Sequence, residues 1–160
     1  MSNSQAMCTS FKQELMLGAH QFGSVTLISR TSLTAPTTDT LKAALYLASA
    51  SLGAATATYS TSGEVSGTGY TAGGVTVTNG NAPATSGTTA YWTPSASFAW
   101  TTVTLSTSFD ACLLYNSTQT TGGNGRAISV HTFGATTVTA GNFTLTMPTN
   151  DASNALIRIA

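Results

Sequence analysis

Any chemistry in this chain must come from few residues. Among its 160 residues stand five acids (Glu14, Asp39, Glu64, Asp110, Asp151), five bases, two histidines and two cysteines. The densest candidate is "GEVSGTGYTAGG" (63–74), with five glycines in twelve positions. Dinucleotide binding wants G-x-G-x-x-G between a strand and a helix, with an acid about 20 residues further on. Here the third glycine comes one position late, the following "VTVT" has no helical character, and the next acid is Asp110. A phosphate-binding P-loop needs a lysine after its glycines, and no lysine follows Lys42. The stretch therefore reads as a bent, closely packed connection. Gly63, Gly67, Gly69, Gly73 and Gly74 supply conformations and close approaches that side chains forbid. Glu64 is expected to anchor the loop through backbone N–H groups or an arginine.

Other constellations are weaker still. His20 and His131 are far apart and neither lies near a cysteine, so no metal-ligand spacing exists, and no cofactor is expected. Cys112 in "DACLLYN" and Cys8 in an apolar stripe read as small buried hydrophobes. His131 and Asp110 could join a serine on paper, but no G-x-S-x-G elbow supports it, and His131 reads as a structural histidine facing solvent or an interface. The five acids are scattered singly, so no carboxylate pair suggests glycoside chemistry. Tyr91, Trp92, Phe98 and Trp100 cluster within ten residues. Phe98 and Trp100 would share one strand face, which favours core or subunit contact over a sugar platform. No catalytic residue is assigned.

Composition points the same way. Net charge is zero and only 6% of residues are charged, whereas serine and threonine supply 51 positions. There is no basic run to meet nucleic acid or anionic lipid. The longest apolar stretch, 41–55, contains Lys42 and serines and is shorter than a membrane span. "MSNSQAMCTS" lacks the charged and apolar regions of a secretory signal, so a cytosol-like compartment is expected and the "NST" and "NFT" sequons carry no weight. Weakly charged, hydroxyl-rich surfaces desolvate readily, which suits a subunit covered by copies of itself or by a larger partner.

The elements that would position these residues are mostly strands. One helix is expected over 2–18, with Ser2 or Ser4 as N-cap and Gly18 as the stop. Its apolar stripe is Met7, Cys8, Phe11 and Leu15. Strands are expected at 25–30 (closed by Pro36), 41–47, 75–78, 90–93, 98–105, 111–115, 127–133, 143–147 and 155–159, separated by the turn-like "NGNAPATSG", "STQTTGGNG" and "TAGN". This pattern predicts an all-β, single-domain protein spanning 1–160. The specific expectation is a jelly-roll-like β-sandwich with 1–22 as an N-terminal helix or arm, an immunoglobulin-like sandwich being the alternative.

Three blocks in order, "CTSFKQELMLGAHQFG", "DTLKAALYLASASL" and "GEVSGTGYTAGG", with "NALIRIA" at the end, resemble small virion structural proteins of tailed bacteriophages. Some of these resemble capsid cement or decoration proteins. The resemblance implies a non-enzymatic subunit on the exterior of the head, assembled in the bacterial cytoplasm. Its partners would be the phage major capsid protein and itself, as a dimer or trimer, with no nucleic acid and no membrane. Phe11 and Leu15 are then the candidate interface anchors, and removing residues 1–18 is expected to abolish capsid binding while sparing the fold. The alternative is a tail or fibre module that binds host glycan through Trp92, Trp100 and Tyr70.

Overall fold

Threonine and valine favour extended backbone because their branched side chains pack well on a pleated surface. In the computed structural model, which describes residues 2–16, 18–20, 22 and 38–160, that preference builds an antiparallel, mostly β protein. The elements are β1 (Ala6–Met7), α1 (Thr9–Met16), β2 (Leu41–Leu47), β3 (Val75–Thr76), β4 (Ala84–Ser86), β5 (Thr89–Trp92), β6 (Phe98–Asn116), β7 (Arg126–Leu145) and β8 (Ile157–Ile159). A five-stranded sheet runs in the order β1-β7-β6-β2-β3, and a three-stranded sheet in the order β4-β5-β8. The strand expected at 25–30 and its Pro36 boundary lie outside the described residues.

The expected pairs 98–105 with 111–115, and 127–133 with 143–147, fuse into two strands of 19 and 20 residues. "TAGN", expected as a turn, and "STSFD", the gap between two expected strands, are irregular points inside β7 and β6. Register slips there, and Thr102 and Ala140 take left-handed backbone at φ 53° and 45°. Asn142 Oδ1 accepts the Thr102 N–H, and Thr104 Oγ1 accepts the Ala140 N–H, so side chains replace the missing ladder bonds. Between the two strands, "STQTTGGNG" does turn, with Gly122 and Gly125 at positive φ. "NGNAPATSG" instead contributes β4, which forms a tight hairpin with β5.

The N-terminal helix is shorter than expected. Residues 6–7 pair with β7, the Cys8 carbonyl accepts the Lys12 N–H, and α1 starts only at Thr9. Ser4 is not a cap, since its N–H donates to the Leu52 carbonyl. Gly18 does stop the helix. At φ 67° its N–H reaches the Leu15 carbonyl, and the Ala19 N–H reaches that of Glu14.

One contiguous core takes Cys8 and Phe11 from the N-terminal segment, Leu41, Leu45, Leu105, Phe109 and Ile128 from the large sheet, and Trp92 and Ile157 from the small one. Phe22 bridges them, 4.7 Å from the Trp92 ring and 5.8 Å from Phe11. In β2 the expected alternation is blurred. Ala44 and Tyr46 are as buried as Leu41, Ala43 and Leu45, because the glycine-rich connection covers them.

Candidate functional site

The glycine-rich connection lies along the edge of β2 and against β6. Gly63 accepts the Leu47 N–H, the Val65 N–H donates to Leu45, and the Thr104 N–H donates to Thr68. A Cβ on Gly67 would collide with the Thr104 carbonyl, one on Gly69 with the Thr102 carbonyl, and one on Gly74 with that of Ala43. Backbone packed this closely leaves no bowl of N–H groups open to a phosphate. The glycines serve contact, as their spacing implied.

Glu64 holds the connection closed. Its carboxylate, nearly excluded from solvent, accepts the Tyr59 hydroxyl at 2.6 Å, the Tyr70 hydroxyl at 2.8 Å and the Gly73 N–H at 2.7 Å. Among the described residues the anchoring is therefore by a backbone N–H and two tyrosines rather than an arginine. The Tyr115 hydroxyl adds a bond to the Gly73 carbonyl at 2.8 Å and stacks its ring on Tyr59 at 4.6 Å. Burial first, and then the Glu64 charge, push the Tyr115 phenol up to about 12 and raise Tyr59 and Tyr70 as well. All three phenols stay protonated and donate at neutral pH. The cluster is a closed polar core.

A second polar chain went unread in the sequence, because its members stand up to 112 positions apart. Glu14 accepts His20 Nε2–H at 2.6 Å and the Arg126 Nε–H at 2.5 Å, with a further ion pair to Arg126 Nη2. Asn116 Nδ2 lies 3.0 Å from His20 Nδ1 and donates to Asp39 Oδ2 at 2.6 Å. With Nδ1 accepting from an amide and Nε2 donating to a carboxylate, both ring nitrogens are engaged. Burial raises the Glu14 carboxyl, but the bonds and charges of Arg126 and His20 outweigh it and hold it below its ordinary value. The one local signal was polarity at strand ends: Asn116 closes β6 and Arg126 opens β7. This chain ties α1 to the turn of the long hairpin.

His131 is half-buried and its Nε2 lies 2.8 Å from Ser129 Oγ, two residues away on the same strand. Burial pushes its imidazole down to about 4, so it is neutral at pH 7. The pairing with Asp110 considered from sequence does not form, because Asp110 accepts from Asn3 Nδ2 at 2.6 Å. Among the described residues no carboxylate orients His131, and Ser129 is buried, so a nucleophilic relay is not assembled. Both cysteines are fully buried free thiols; burial first, and then Glu14, push Cys8 up to about 12. Among the described residues no three metal-ligating side chains gather.

The candidate interface residues separate. Phe11 is 1% exposed and packs edge-on to His20 at 4.9 Å, so it belongs to the protein's own core and is no surface anchor. Leu15 is half-buried on α1, beside Met16, which is 84% exposed. Truncating residues 1–18 would remove Cys8, Phe11 and Glu14 from the interior, which argues against the expectation that it spares the fold. Trp92 and Trp100 are buried, and the Tyr70 hydroxyl is engaged by Glu64, so these three offer no stacking platform. No helix among the described residues is long and apolar enough to cross a membrane. Compared with family models, characterised proteins and solved structures, the chain matches none.

Proposed function

We propose that this chain is a non-enzymatic structural subunit of a tailed-bacteriophage virion, bound to the outer surface of the head lattice as a cement or decoration protein. The resemblance of its sequence blocks to such proteins is one support. The observation that carries the reading is where the polar chemistry resides. Glu14, Asp39 and Glu64 are buried and bonded internally, which leaves a hydroxyl-rich β surface with very few charges. Such a surface gives a lattice subunit broad contact area at a low desolvation penalty. The two antiparallel sheets over one core also support the finer fold reading, a jelly-roll-like sandwich. The glycan-binding alternative loses support, since Trp92 and Trp100 are buried and the half-buried Tyr70 has its hydroxyl engaged by Glu64.

Copy number tests the proposal. Purified particles should contain this chain in hundreds of copies, and imaging should place it on the outer head surface. Particles lacking it should release DNA at a lower temperature. A handful of copies at the tail would refute the proposal.

A further inference from the structure

The exposed bases and the exposed large apolar side chains converge on one groove. Among the described residues, Lys12 and Arg158 are the exposed bases. Only Met16 and Ile159, at 84% and 44%, are large, apolar and exposed. All four line a single groove of about 690 Å³ between α1 and β8, floored by Met7 and Leu15. Arg158 Nη1 donates to the Ser153 carbonyl at 2.6 Å, which holds the guanidinium at the rim. A lone exposed methionine needs no explanation, but an apolar floor rimmed by both exposed bases of the described residues is an organised recognition surface.

We infer that this groove docks a segment of another protein that combines apolar side chains with carboxylates. The inference rests on the structural-subunit reading, under which that protein is the head-shell subunit. Complementarity argues against a second copy of this chain, whose acids are all engaged. Glu14 pairs with Arg126, Asp39 with Asn116, and Glu64 with two tyrosines. Asp110 accepts from Asn3, and Asp151 accepts the N–H groups of Ser153 and Asn154. A copy would bring only carboxylates that already hold bonds within their own chain to Lys12 and Arg158. The concave shape argues against a bilayer, which is flat on this scale, and the apolar floor argues against a nucleic-acid backbone.

The test uses the full chain on isolated head shells that lack it, at about 50 and 300 mM salt to vary screening. Wild type should bind, more weakly at high salt. The double variant Lys12→Glu/Arg158→Glu should lose about tenfold in affinity, together with most of that salt dependence. Both positions are exposed, and unchanged melting of the variant would show that it is folded. Wild-type-like binding by the folded variant overturns the groove and leaves the shell reading standing.

If wild type does not bind shells, the shell reading falls and a second measurement decides the groove. Methyl resonances of Met16 and Ile159 are followed during titration with a peptide of alternating leucine and glutamate. A leucine–lysine peptide and phosphatidylglycerol vesicles serve as controls. Saturable shifts with the glutamate peptide alone support the groove. Equal response to both peptides, response to vesicles only, or response to none overturns it.

Discussion

The backbone N–H of Gly73 donates to the carboxylate of Glu64 at 2.7 Å, so one buried charge closes the glycine-rich connection on itself. With the Tyr59 and Tyr70 hydroxyls on the same carboxylate, three donors converge on two oxygens. Glu64→Gln leaves one acceptor oxygen and turns an amide NH₂ toward donors. Denaturant unfolding should show a loss of about 2–3 kcal/mol. A loss within experimental error would mean that the carboxylate is not the loop's anchor.

Gly74 and Gly18 separate two reasons for glycine. Both have positive φ, near 70°, but a Cβ on Gly74 strikes the Ala43 carbonyl, whereas one on Gly18 meets nothing within 4 Å. Gly18→Ala should cost about 1 kcal/mol, the left-handed penalty alone. Gly74→Ala should cost well above that, about 3 kcal/mol or more, because backbone of β2 would have to move. Equal melting temperatures for the two variants would contradict the packing described for Gly74.

Stability should fall on mild acidification through His131. Its ordinary value of 6.5 applies to the unfolded chain, and burial lowers it to about 4 in the folded one. Between those values the unfolded chain holds the proton and the folded chain does not, so stability declines from pH 6.5 to about 4. The decline should amount to roughly 1–3 kcal/mol. His131→Gln should flatten it, as read from urea midpoints at successive pH values. Glu14, with its lowered carboxyl, should add a further loss at lower pH as it takes up its proton.

Neither thiol should react with an aromatic disulfide reagent at pH 8 while the protein is folded. Cys8 and Cys112 are both fully buried, and burial raises both thiols. Two equivalents should react in denaturant. Rapid labelling of the native protein would place Cys8 outside the core.

Deleting residues 1–18 should yield a chain without a cooperative unfolding transition. The deletion removes two fully buried side chains and leaves Arg126 without Glu14. Phe11→Ala alone should cost about 3–5 kcal/mol. A truncated chain that melts cooperatively near the wild-type temperature would restore the view of this segment as a detachable arm.

Local chemistry was legible where a residue's own geometry decides its role. Gly18 stops a helix because glycine tolerates left-handed backbone, and the 63–74 glycines mark tight contact because their spacing suits no phosphate site. Strand character was legible from β-branched composition. Strand length was not, since serine and threonine in "STSFD" fit a turn or a half-exposed strand equally well. The opposing strand chose, by supplying a ladder and side-chain acceptors across the bulges.

Residue type and short-range spacing were enough to read an all-β protein with scarce charge, buried thiols and a glycine-built connection. Tertiary structure alone decided what distant residues do together. It put Phe11 inside rather than on the surface, joined Glu14 to His20 and Arg126, separated Asp110 from His131, and gathered Lys12, Met16, Arg158 and Ile159 around one groove. The physical reason is that burial and pairing depend on which segments the folded backbone brings together, and a residue's neighbours in sequence carry no record of a partner more than a hundred positions away.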